Sequence, residues 1–181
     1  SGFEVIENDK LDKAYVGEKY QIAVKEPNWI FWSCAPGDVF PADFQAEVDV
    51  EPFLSKTGQW GIVWGKDKNN YHAFVLRSDG SYRLRHQVND VWQKDPVPWT
   101  ESPSLKRDTE ANHLMVIVIG DIITLIVNDT VLKTIQNVNF GPGKIGLITG
   151  AFDDPDVQVR FDNLMIRDLS DLDDVVSNMD L

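Results

Sequence analysis

From Phe44 to Glu51 apolar and polar residues alternate without a break, with Phe44, Ala46, Val48 and Val50 on one side and Gln45, Glu47, Asp49 and Glu51 on the other. A period of two turns one face of an extended strand to a core and the other to water, and it cannot form the apolar stripe of a helix. Shorter runs with alternation or with many β-branched and aromatic residues recur at 21–24, 29–33, 40–50, 59–64, 71–77, 82–87, 112–119, 122–127, 131–135, 144–149 and 157–166. Between them stand good turn formers: Asp67-Lys-Asn-Asn70, Ser78-Asp-Gly80, Gly120-Asp121, Asn128-Asp129 and Phe140-Gly-Pro-Gly143. The segment 94–110, with Pro96, Pro98 and Pro103, reads as a long polar loop of the kind that is often functional. Roughly ten to twelve strands at this spacing predict an all-β chain, a two-sheet antiparallel β-sandwich over residues 1–167. Residues 168–181 read as a short acidic tail, either frayed or an amphipathic helix through Leu169, Leu172, Val175 and Val176.

A chain of 181 residues, 43% hydrophobic, can bury a full core without staples, and its single cysteine, Cys34, cannot form an internal disulfide. The net charge of −12 argues against nucleic acid as a partner. That charge is uneven. The tail has five acids and no base, whereas residues 66–107 hold eight bases against five acids. An acidic ligand is therefore not excluded by the total alone. No apolar run approaches the ~18 residues of a membrane span. Ser1-Gly2 reads as a tag scar, so a natural signal or anchor is expected to be missing from the sequence.

Several motifs carry a resemblance. Trp60-Gly-Ile-Val-Trp-Gly65 running on to Tyr71-His-Ala-Phe-Val-Leu76, then Asp79-Gly-Ser-Tyr-Arg-Leu84, Asp90-Val-Trp92, Leu125-Ile-Val-Asn-Asp129, Gly143-Lys-Ile-Gly-Leu147 and Phe161-Asp-Asn-Leu164 resemble the concanavalin A-like lectin/glucanase superfamily. More narrowly, over residues 38–167, they are similar to its bacterial laminin-G-like and 3-keto-disaccharide-hydrolase-like jelly-roll domains. The resemblance implies a concanavalin A-like jelly roll, a carbohydrate or glycan as partner, an extracellular or cell-surface location and other domains in a larger surface protein. It leaves function open, since such folds serve as lectins, carbohydrate-binding modules, glycosidases and spacers.

The residues offer four candidate sites. Glu47, Asp49 and Glu51 share a strand face and could supply a nucleophile and an acid for retaining glycoside hydrolysis; their spacing resembles the Glu-x-Asp-x-Glu signature of laminarinase-type enzymes. Pro52 follows at once without the enzyme's aromatic context, and a solvated polar face accounts for the acids equally. Sugars stack their C–H faces on aromatic rings, and six tryptophans exceed what this core needs. Trp64, Tyr71, Trp92 and Trp99 are the candidates, with core burial the competing destination for Trp60 and Trp64. Arg83 and Arg85 share one face of a strand, with Tyr82, Leu84 and His86 on the other; they suit a carboxylate or sulfate ligand, or else cross-strand pairing with Glu47, Asp49 and Glu51. Finally, Asp162, or the acids at 153–156, leaves room for a structural Ca²⁺, although neither has the spacing of a dedicated calcium loop. No other cofactor is expected. The sequence reading is a non-catalytic, lectin-like module, with a glycoside hydrolase acting on a β-glucan or disaccharide through Glu47 and Glu51 as one alternative and a structural or protein-interaction domain as another.

Overall fold

The computed structural model describes residues 2–37, 39–53 and 57–171. Among them are fifteen strands: β1 (Ile6–Glu7), β2 (Leu11–Val16), β3 (Lys19–Val24), β4 (Ile30–Cys34), β5 (Phe44–Pro52), β6 (Gln59–Asp67), β7 (Asn70–Leu76), β8 (Ser81–Val88), β9 (Val91–Trp92), β10 (Val97–Glu101), β11 (Asn112–Ile119), β12 (Ile122–Val127), β13 (Thr130–Gln136), β14 (Lys144–Gly150) and β15 (Val157–Asp168). They form two antiparallel sheets. An eight-stranded sheet has the order β1-β2-β3-β15-β5-β11-β12-β13, and a seven-stranded sheet has the order β10-β8-β7-β6-β14-β4, with β9 paired to β8. The expected sandwich is thus observed.

The alternation at 44–51 is that of β5. Its Phe44, Ala46, Val48 and Val50 point inward, joined by Leu114, Val116 and Val118 of β11 and by Ile123, Leu125 and Val127 of β12. The seven-stranded sheet answers with Trp60, Ile62 and Trp64 of β6, Phe74 and Leu76 of β7, and Tyr82 and Leu84 of β8. Each such side chain, fully buried, contributes about 1.5–3 kcal/mol.

β6 and β7 are buried on both faces, unlike β5. Their second face holds a small cluster of Val63, Tyr71, Ala73, Val75 and Ile148. The two sheets use all fifteen strands, so among the described residues no third layer shields it. Larger side chains at its borders do so: Ile30 and Trp32 of β4 and Trp99 of β10.

Two expectations change. The segment 94–110 contains β10, a strand rather than a continuous loop. Prolines are tolerated there because β10 is an edge strand, and its register against β8 shifts between Val97 and Thr100. The tail beyond Asp171 lies outside the described residues, and with it most of the expected helix.

Candidate functional site

The outer face of the seven-stranded sheet gathers five of the six aromatic and cationic candidates. Local chemistry explains how. Asn89 and Asp90 both adopt positive φ, 51° and 64°, the conformation of a type I′ hairpin turn, and Asn and Asp tolerate it better than other non-glycine residues. The chain reverses there, and Trp92 returns opposite Gln87. The turn is tied by Gln87, whose Nε2 donates to Asp90 Oδ1 at 2.9 Å. Arg85, two residues earlier on β8, shares the face of Gln87, so the Trp92 ring comes to rest over its guanidinium, 3.5 Å from the ring centroid. Trp92 remains 40% exposed.

Tyr71 is buried between two indoles, 4.7 Å from Trp32 and 5.6 Å from Trp92 by ring centroids. Burial raises its phenol pKa. Arg83 is held more firmly than Arg85. It donates to Gln59 Oε1 at 2.7 Å and pairs with Asp95 at 3.5 Å, and Trp99 lies over it at 4.4 Å. Arg77 approaches Trp99 at 4.8 Å. Burial pulls Arg83 down to about 10, with the neighbouring Arg85 charge acting in the same direction and Asp95 opposing; it stays protonated at neutral pH.

Trp64 does not belong to this face. It is 5% exposed, points into the core, stacks on His72 at 5.2 Å and meets Phe44 edge-on at 6.2 Å. The β6 register sends Trp60, Ile62 and Trp64 inward together and leaves Gly61, Val63 and Gly65 outward. Trp32, Gln59 and Asp95, which are part of the face, were not singled out in the sequence. Ile30 and Trp32 have the right parity on β4, but parity does not say which of two faces is the core.

Glu47, Asp49 and Glu51 lie on the outer face of the other sheet, across the full thickness of the sandwich. The expected pairing with Arg83 and Arg85 is therefore absent, because strands of different sheets cannot share an outer face. Glu51 instead pairs with Lys19 at 2.6 Å, and Glu47 accepts from Gln45 Nε2 at 2.8 Å. Asp49 accepts from Asn163 Nδ2 at 2.7 Å and meets His113 Nδ1 at 2.8 Å. Burial alone would raise the Asp49 pKa, but these two partners outweigh it and hold the carboxyl below its usual range. Asp49 is thus held ionised by its two partners.

Asp162 sits beside a register shift of β15 against β5 and caps its own neighbour, accepting from the Asn163 backbone N–H at 2.8 Å. With Glu18, Phe3, Tyr15 and Tyr20 it borders a cavity of about 270 Å³. That cavity is lined mainly by elements of the eight-stranded sheet, with Leu147 of β14 from the other sheet, and includes none of the tryptophan-face residues. Among the described residues no three His, Cys, Asp or Glu side chains gather around a common point that could hold a metal ion.

The sequence matches no protein-family model and no curated protein. Solved structures are similar in fold. The carbohydrate-binding module CBM66 from Bacillus subtilis superposes with a TM-score of 0.72 at 15% identity, covering 93% of this chain and 96% of that one. A putative glycosyl hydrolase from Parabacteroides distasonis gives 0.56 at 17% identity, covering 83% of this chain and 81% of that one. Sheep galectin-11 gives 0.54 at 9% identity, covering 78% of this chain and 98% of that one. At these identities the likeness establishes the fold: the chain is a jelly-roll sandwich of the kind that the sequence resemblance implied.

Proposed function

We propose that the protein is a carbohydrate-binding module that holds its ligand on the outer face of the seven-stranded sheet, without catalysis. The observation that carries this reading is the exposed Trp92 standing on Arg85, with Trp32 and Trp99 on the same face and Arg83 and Asp95 between them. A pyranose offers apolar C–H patches to a ring and hydroxyls to charged groups, and this face presents both within one surface. Trp32 and Trp99 pack half-buried over the apolar floor of this face, and Trp92 stands 40% exposed at its border. The ring stacking is assigned to Trp92, Trp99 and Trp32, and the polar contacts to Arg85, Arg83 and Asp95.

The fold likeness to a carbohydrate-binding module and to a galectin supports the same reading by analogy. Such modules act as parts of secreted or surface proteins, and that setting is part of the proposal. A glycan array screened with the wild-type chain, followed by calorimetry on the hits, tests it. Binding that Trp92→Ala weakens at least about tenfold supports the reading. Failure to bind any neutral or acidic glycan refutes it.

A further inference from the structure

Of the three guanidiniums on this face, two have a carboxylate partner. Arg77 approaches Asp79 at 3.8 Å, and Arg83 has Asp95 at 3.5 Å and Gln59 at 2.7 Å. Among the described residues Arg85 makes no hydrogen bond and no salt bridge, and its Nε is buried without a partner. Trp92 covers one face of the guanidinium at 3.5 Å. Burial lowers the Arg85 pKa and the charge of Asp95 only partly offsets this, since that carboxylate is already engaged by Arg83. A half-buried cation that lacks an anion is costly to keep, and the bond that relieves it most is charge-assisted.

We propose that the glycan held here carries a carboxylate, as a uronic acid does, and that Arg85 is the group that selects it. This inference rests on the carbohydrate-binding reading of the same face. The planar guanidinium fork matches a planar carboxylate, and a charge-assisted bond is roughly twice as strong as one to a neutral hydroxyl. The chain's net charge of −12 does not oppose a single carboxylate in contact, because fields from distant surface charges are screened beyond about 8 Å at physiological salt. A densely charged polyanion would extend past this face into contact range of the acidic remainder of the chain, so the ligand proposed is an oligosaccharide with sparse or terminal acid groups.

The test is calorimetric titration with matched pairs: galacturonate-, glucuronate-, mannuronate- and sialate-terminated oligosaccharides, their methyl esters, and sulfated and neutral counterparts of the same ring. The expected result is that at least one free acid binds about tenfold or more tighter than its methyl ester. In Arg85→Gln that ratio collapses towards one, and Arg85→Lys, which keeps the charge and loses the fork, falls between. Should Arg85→Gln fail to fold, the acid and ester comparison on the wild-type chain decides the matter alone. Equal affinity for acid and ester in every pair, or a preference confined to sulfate esters, overturns the inference. Trp92-dependent binding of neutral sugars without any acid preference overturns it while leaving the carbohydrate-binding reading intact, whereas no binding at all overturns both.

Discussion

The indole of Trp92 lies 3.5 Å above the guanidinium of Arg85, placed there by a two-residue turn. This contact belongs to the surface, and replacing Trp92 by Ala removes a cation–π pair worth about 1 kcal/mol. Thermal unfolding of Trp92→Ala is expected to shift by a few degrees at most. Trp64→Ala, by contrast, empties a core site and costs about 3–5 kcal/mol. Differential scanning calorimetry of the two variants distinguishes a surface ring from a core ring; equal losses would contradict the assignment.

The turn itself should matter to binding. Asn89 holds φ at 51°, where a β-branched side chain is strained by about 1–2 kcal/mol. Asn89→Val is expected to destabilise the protein by roughly that amount and to weaken glycan binding together with it, because Trp92 loses its register against Gln87. Binding unchanged in a destabilised Asn89→Val would show that Trp92 is not the stacking ring.

How far the sequence reveals this molecule depends on which faces a strand buries. β11 and β12 match the runs 112–119 and 122–127 through their β-branched content and the Gly120-Asp121 turn between them. Their burial alternates although Met115, Ile117 and Ile126 on the wetter face are apolar, so composition alone marks the strands and not their inner face. β6 and β7, buried on both faces, show that they are strands but not which side faces the core, which is why the sequence leaves Trp64 open between a ligand face and core burial. β2 is disguised by the charges of Asp12 and Lys13, and β10 by its prolines, two devices of edge or near-edge strands. The grouping of Arg83 with Arg85 follows from parity alone. Trp32 joins them only through the long-range pairing β4-β14-β6-β7-β8, which no local pattern encodes.

Stability should fall in acid through one histidine. His72 is 1% exposed, packed by Trp64 and Phe140 and facing His86. Burial lowers its pKa from 6.5 to about 4, the Asn137 hydrogen bond opposing in part and His86 adding to the fall. Below pH 6.5 the unfolded chain takes up a proton that the folded chain refuses until pH 4. The stability present above pH 6.5 is therefore lost as pH falls, by about 3 kcal/mol at pH 4. Denaturant titrations at several pH values should show this slope in the wild type and a shallower one in His72→Leu. The same slope in both would assign acid sensitivity to other groups.

The acids of the eight-stranded sheet should be silent in binding. Glu47→Gln and Glu51→Gln lie across the sandwich from the tryptophans, and each is expected to leave glycan affinity within about twofold while costing at most about 1 kcal/mol of stability, mainly at the Lys19 pair. Reducing-sugar release by the wild type that Glu47→Gln abolishes would reverse this and restore a catalytic reading of that face.

The most direct measurement follows the six tryptophan indole N–H signals by nuclear magnetic resonance while a bound glycan is titrated. The face described above predicts that Trp92, Trp99 and Trp32 shift together and saturate at the calorimetric affinity, while Trp60 and Trp64 stay in place. Shifts confined to Trp29, or a titration that moves none of the three, would contradict it.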